Sequence, residues 1–134
     1  MSWHWISKPA LLLLHGESLS THGGAAGLRD EGLLDSALAR PLNLVAYAQP
    51  EQPPDIAALA AGYTAGVAQN HPFVDGNKRA AFLATGLFLY RNGYRLSVSQ
   101  ADATVMVLGL AAGEVSEGDF AAWLRAHVVL RVPV

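Results

Sequence analysis

Cysteine is absent from the 134 residues. That removes disulfides, thiolate zinc sites and cysteine nucleophiles together, and a reducing compartment is the consistent setting. Lysine is scarce: Lys8 and Lys78 stand against seven arginines. Charged residues make up only 15% of the chain, and the formal net charge of −2 excludes a strongly basic nucleic-acid binder. Long apolar runs are missing too. Ala80 to Tyr90, for one, is too short to span a membrane. Leu11 to Leu14 is broken by His15 and Gly16 and lacks the basic region and small-residue cleavage site of a secretory leader. A cytoplasmic protein without a membrane partner is therefore expected. The HExxH, GxGxxG and GxxxxGKS or GxxxxGKT patterns do not occur, which removes zincin, dinucleotide-fold and P-loop readings.

What is present suits one globular unit. Apolar residues are 51% of the chain, enough for a core without covalent staples. With no internal repeat or low-complexity tract, residues 1–134 read as a single domain. Trp3 to Ile6 reads as a short extended piece, and Ser7 as the N-cap of a helix that ends at Gly23-Gly24. Asp30 caps a second helix with Leu33, Leu34, Ala37 and Leu38 on one face, which Pro41 closes or bends. Gln49 to Pro54 holds three prolines and reads as an exposed loop. Asp55 caps a third helix, in which Ile56, Leu59, Tyr63 and Val67 recur at helical spacing among alanines and glycines. Asn70 to Gly76 is a polar turn. Lys78 to Arg91 is apolar almost all round and is expected to be the central, buried helix. Asn92-Gly93 stops it. Ser99 with Asp102, and Ser116 with Asp119, open two more helices as capping boxes. Only Tyr94 to Val98 looks extended. The fold class is all-α, a compact bundle of about six helices.

One segment concentrates chemistry. His71-Pro72-Phe73-Val74-Asp75-Gly76-Asn77-Lys78-Arg79 packs an imidazole, a carboxylate, an amide and two cations into nine positions between apolar helices. Lys78 and Arg79 fall in a first helical turn, where the macrodipole disfavours cations. An anion bound to the free amides there reverses the sign of that effect, and Gly76 lets a ligand approach the backbone. Asp75 is the type of carboxylate that holds magnesium against phosphate oxygens. An imidazole titrates near neutrality, so His71 suits the removal of a proton from an attacking hydroxyl. Base, metal carboxylate and anion cradle together make a phosphoryl- or nucleotidyl-transfer site.

Each residue alone has a plainer reading. A lone histidine at position 71 is more often structural or at the surface. Asp75 and Asn77 could be simple N-caps. Lys78 and Arg79 could be a solvated helix face. The joint pattern favours the site. His4, His22 and His127 have no partner at ligand spacing, and His15 reads as structural.

His71 to Arg79 closely resembles the signature of the Fic/Doc family: a histidine, a phenylalanine two residues on, then an acid, a small residue and asparagine. Asn77-Lys78-Arg79 matches the continuation in the death-on-curing (Doc) branch, whereas AMP-transferring Fic enzymes continue with glycine and arginine. Leu14-His15, Gly23-Gly24, Gly27-Leu28-Arg29-Asp30, Gly32-Leu33-Leu34, Ser36 to Pro41, Arg91-Asn92-Gly93 and Ala111 to Glu114 extend the resemblance over roughly residues 7 to 130.

The resemblance implies a toxin of a toxin–antitoxin pair. Such a protein is a kinase that transfers the ATP γ-phosphate to a threonine of elongation factor Tu, stops translation and is neutralised by a cognate antitoxin. It implies His71 as the base, Asp75 on Mg2+, and Gly76, Asn77, Lys78 and Arg79 on the phosphates. The proline-rich stretch Val45 to Asp55 falls where the family has a flap that docks the target. Gly76 stands where the Doc branch often has alanine, and His71-Pro72-Phe73 is as Fic-like as Doc-like, so a Fic-type protein AMP-transferase is the second reading and a silent helical binding module the third. Lys78 favours the kinase, because its side chain obstructs the phosphate approach of AMP transfer. The inhibitory pattern of Ser or Thr, three residues, then Glu-Gly or Glu-Asn is not met, since Gly27 precedes Glu31-Gly32 and Gly113 precedes Glu117-Gly118. Silencing by a separate antitoxin is the consistent expectation.

Overall fold

The computed structural model describes residues 2–131. Six helices and one small antiparallel ladder follow each other as α1 (Lys8–His22), α2 (Glu31–Ala46), α3 (Ile56–Asn70), α4 (Asn77–Arg91), β1 (Tyr94–Leu96), α5 (Gln100–Ala111), α6 (Glu117–His127) and β2 (Val128–Leu130). The all-α bundle expected from the helical spacing is thus the architecture. Five helices open on side-chain caps at the expected residues: Ser7, Asp30, Asp55, Ser99 and Ser116 each accept a backbone N–H three residues on. The exception is α4, which opens on Gly76 with no side-chain cap.

The central helix is α3, which corrects the expectation placed on the next one. Every residue from Leu59 to Ala68 is buried, and α2, α4, α5 and α6 all pack on it. Its small residues make that possible. A Cβ at Gly66 would stand 3.0 Å from the Ala37 Cα, and one at Gly62 would stand 3.0 Å from Leu44 Cδ1. Two glycines one turn apart therefore let α2 lie directly on the α3 backbone. By contrast α4 is two-sided: Ala80, Ala81, Ala84, Thr85, Phe88 and Leu89 are buried, while Tyr90 is exposed. The buried hydroxyls of Thr64 and Thr85 meet across the α3–α4 seam, with Ala60 O and Ala81 O as the carbonyls within reach on their own helices; one hydroxyl donates to the other, which in turn donates to its own helix.

Three local expectations change. Pro41 does not close α2, which runs on to Ala46 with the proline inside it. The ring is buried 3.5 Å from the Cβ position of Gly62, so its packing offsets the lost N–H bond. The segment Trp3 to Ile6 forms no strand. It is held instead by Tyr63, whose hydroxyl accepts the Ile6 N–H at 3.1 Å, and by the Asn92 side chain, which bonds both backbone groups of His4. Burial pushes the Tyr63 phenol up from its ordinary value. Finally, the extended stretch after α4 has a partner that the pattern did not reveal. Tyr94, Arg95 and Leu96 pair with Leu130, Val129 and Val128, tying the C-terminal end of α6 back to α4.

Candidate active site

The chemistry-bearing segment is the turn between helices α3 and α4. α3 ends in His71, whose backbone is left-handed at φ 50° and ψ 55°. Among the described residues it is the only non-glycine with positive φ. That conformation costs about 1–2 kcal/mol for a side chain with a Cβ, so something must hold it. The Arg29 guanidinium does so. Its Nε donates to the His71 carbonyl at 2.7 Å and its Nη2 to the Asn70 carbonyl at 2.9 Å. Arg29 and Asp30 also donate their backbone N–H groups to the Pro72 carbonyl, and Val74 N–H donates to the Gly27 carbonyl. Leu28 and Phe73 form an isolated antiparallel bridge. The α1–α2 connection therefore clamps the turn along its length.

The loop from Phe73 to Asn77 is braced from inside. Asn77 Oδ1 accepts the Phe73 N–H at 2.9 Å, and its Nδ2 donates to the Phe73 carbonyl at 3.0 Å. The Asn77 side chain thus closes the loop on itself, and what it offers a ligand is its backbone N–H. Buried His15 stacks on Phe73 at 3.8 Å between ring centroids and meets the Asp75 carbonyl at 2.8 Å. A carbonyl can only accept, so Nε2 of His15 carries the proton. Gly76 then turns left-handed, φ 74°, and α4 begins. A Cβ at Gly76 would approach His15 Nε2 to 3.4 Å, a second reason for glycine there.

Asp75 is held by two amides. Its Oδ1 accepts the Gly76 N–H at 2.8 Å and its Oδ2 the Ala25 N–H at 3.2 Å. Each oxygen keeps a further lone pair for a ligand. Gly24 makes room for this: a Cβ there would lie 2.9 Å from Asp75 Oδ2. Among the described residues no three His, Asp or Glu side chains gather into a metal cage. A single carboxylate beside a phosphate cradle is how magnesium is commonly held, since it keeps waters and takes the rest of its shell from substrate oxygens.

The cradle is the start of α4. Ala80 N–H is the first amide in the helical ladder, donating to the Gly76 carbonyl. Among the described residues the amides of Asn77, Lys78 and Arg79 have no acceptor, and neither Lys78 nor Arg79 pairs with a carboxylate. Three free N–H groups, a positive helix end and two unspent cations point to an anion. They share one open cavity of about 520 Å³ with His71 and Asp75. Lys78 and Arg79 also form the wall of a narrower cleft, about 300 Å³, between α4 and α5, with Phe82, Val107, Gln100 and Thr104 further along it. On the other side of Lys78 a third opening, about 520 Å³, runs from His71 along exposed Val105 and Leu108 of α5.

All six candidate residues, His71, Asp75, Gly76, Asn77, Lys78 and Arg79, thus line one cavity. The expected docking flap does not join them. The loop holding Gln49 to Pro54 leads into the N-terminal end of α3, whereas His71 follows its C-terminal end. Fifteen helical residues separate the two by about 22 Å. The segment beside His71 is 23–30 instead. The sequence pattern gave no role to Arg29; it marked Gly24 only as a helix stop and His15 as structural, and the stacking and hydrogen bond of His15 bear that out. The further signal was the resemblance at Leu14-His15, Gly23-Gly24 and Gly27-Leu28-Arg29-Asp30, which named residues without their contacts.

A helical domain with free amides at a helix start, a carboxylate and an exposed imidazole in the same cavity has the parts of a phosphotransferase-type site. Comparison with known proteins gives the family. The model of the Fic/DOC family matches residues 5–89. The protein kinase doc of Escherichia phage P1 is 38% identical over 122 residues, covering 90% of this chain and 92% of that protein. The toxin Doc of Mycolicibacterium smegmatis is 43% identical over 79 residues, 56% of either chain. The chain belongs to the Fic/Doc family and is of its Doc type.

Proposed function

We propose that the chain is a Doc-like toxin of a toxin–antitoxin pair, acting in the cytoplasm as a protein kinase that moves the γ-phosphate of ATP to a threonine of elongation factor Tu. The observation that carries the phosphate chemistry is the start of α4: the amides of Asn77, Lys78 and Arg79 are free and open on the cavity that holds His71 and Asp75. The phage relative's name, protein kinase doc, supports kinase over AMP transfer. So does the cleft beyond Lys78 and Arg79. Its apolar wall of Phe82, Ala103 and Val107 suits a nucleoside, which leaves the far end of the triphosphate at the cradle.

In this reading His71 accepts the proton of the target hydroxyl as its oxygen bonds to the γ-phosphorus. The bond from that phosphorus to the β–γ bridging oxygen breaks, and ADP leaves. Asp75 holds the Mg2+ that, when bound with the nucleotide, neutralises charge on the phosphate oxygens. The free amides with Lys78 and Arg79 fix the phosphates and stabilise the charge that develops on them. A cognate antitoxin is the partner, in keeping with the relative named toxin Doc. Among the described residues no helix is long and apolar enough to cross a membrane.

The test is transfer to purified elongation factor Tu from ATP labelled separately at the α and γ positions. Label from γ is expected. Label from α would make the chain an AMP-transferase, and no label from either position would leave a binding module.

A further inference from the structure

We propose that Arg29 is a positioning residue for His71, setting the direction in which the imidazole enters the cavity. The inference rests on the reading of His71 as the base. Its ground is the contact itself: one guanidinium spans the two carbonyls that flank the left-handed turn, Asn70 at 2.9 Å and His71 at 2.7 Å. Those carbonyls are the last of α3, where the macrodipole is negative and a cation is favoured. Among the described residues Arg29 pairs with no carboxylate, so its charge is spent on this turn.

The side chain of a residue leaves the backbone in a direction fixed by φ and ψ. In the ordinary helical region at position 71, the Cα–Cβ bond would leave the end of α3 in another direction. The Arg29 fork makes the left-handed alternative the stable one, and the backbone bonds from Arg29 and Asp30 to Pro72 anchor the fork to the turn it controls. Planarity matters here. A guanidinium can donate two parallel bonds to two acceptors, whereas an ammonium is a point donor. Asn70 is pinned from the α2 side as well, its Nδ2 donating to the Leu33 carbonyl at 3.0 Å. The free variable left at the junction is therefore the His71 peptide, and Arg29 holds it.

A residue that merely closed α3 would change melting and nothing more. The experiment compares Arg29→Lys and Arg29→Ala with the unsubstituted chain. It reads single-turnover γ-phosphate transfer from ATP to elongation factor Tu per folded molecule, ATP affinity, and the NMR signals of the His71 amide and ring. Transfer is expected to fall tenfold or more in both variants. ATP affinity should stay within about twofold, and the His71 signals should move while those of Lys78 and Arg79 stay. Arg29→Lys keeps the charge and serves where Arg29→Ala does not fold. His71 signals that stay put in either folded variant would overturn the inference, as would undiminished transfer by Arg29→Lys. The NMR arm needs no acceptor protein. If His71→Ala transfers as fast as the native chain, the base reading fails, and the His71 signals still report whether Arg29 sets the turn.

Discussion

The imidazole of His15 lies flat on the ring of Phe73, 3.8 Å between centroids and 19° between planes, with its edge on the Asp75 carbonyl. One side chain of α1 thereby supports both the apolar anchor of the active loop and the backbone of its metal-competent carboxylate. Truncating it removes a buried ring and leaves a carbonyl without its donor. His15→Ala is expected to lower stability by about 2–4 kcal/mol, the usual sum of a cavity and a lost buried bond. Urea unfolding followed by circular dichroism measures it. A loss below about 1 kcal/mol would mean that the loop is supported from elsewhere.

His71 carries no such structural duty for its ring, which is exposed and makes no hydrogen bond among the described residues. His71→Ala should fold normally and bind nucleotide as before. Transfer should fall about 10²- to 10⁴-fold, the range of a general base. Single-turnover phosphorylation beside ATP affinity separates the two effects. Undiminished turnover would remove His71 from the chemistry.

The α2–α3 crossing offers a contrast between two glycines. Gly66→Ala gains helix propensity but drives a Cβ within 3.0–3.1 Å of the Ala37 backbone, so two helices must part. Overpacking of this sort costs about 1–3 kcal/mol, and a net loss is expected. Gly86→Ala meets nothing within 4 Å on an exposed face of α4, and should stabilise by about 0.5–1 kcal/mol. Melting temperatures that move the same way in both variants would refute the close crossing.

Asp55 does two jobs at once. It caps α3 and accepts a bidentate pair from Arg125 of α6, at 2.6 and 3.0 Å. The Arg125 hydrogen bonds hold its carboxyl below the ordinary 3.8, against the opposing effect of burial. A carboxyl lowered on folding stabilises fully above its unfolded value. That contribution is lost as pH falls through the folded value. Stability should therefore decline from about pH 4 downward by an amount that Asp55→Asn abolishes. Both side chains are about half exposed, so the pair contributes only about 1 kcal/mol or less. Asn keeps the cap, whereas Asp55→Ala loses it as well, at about 1 kcal/mol more. Unfolding curves at pH 3 and pH 7 for the three proteins make the comparison. An equal acid sensitivity in Asp55→Asn would assign the effect to other carboxylates.

These residues also mark what a sequence can reveal. Ser7, Asp30, Asp55, Ser99 and Ser116 were legible as caps because their bonds reach three residues. The candidate site residues were legible because they sit in one run of nine. Arg29 to His71 spans 42 positions and Ala25 to Asp75 spans 50, and no local pattern encodes those pairings. The order of centrality was hidden for a related reason. Each alanine and glycine in α3 offers little apolar surface, yet their small size lets four helices converge on it, while the bulkier α4 faces solvent on one side. Three-residue β2 follows α6 without a break, too short for alternation to show.

Lys78 bears on which phosphate reacts. It stands in the first turn of α4, exposed, on the shared wall of the cavity holding His71 and the cleft lined by Phe82. A side chain of that length beside the free amides narrows the space around an anion seated there. The terminal phosphate of a nucleotide fits such a seat more easily than an inner one, which carries chain on both sides. Lys78→Gly widens the seat and leaves His71, Asp75 and Arg79 in place. The cost to the helix is about 1 kcal/mol at most relative to alanine. Total activity should drop, because a cation near the triphosphate is lost. The informative quantity is the ratio of α-label to γ-label on elongation factor Tu, which should rise in the variant relative to the native chain. A ratio that stays fixed while transfer persists would mean that Lys78 attracts the phosphates without selecting among them. The choice of γ-phosphate would then have to come from the cleft between α4 and α5.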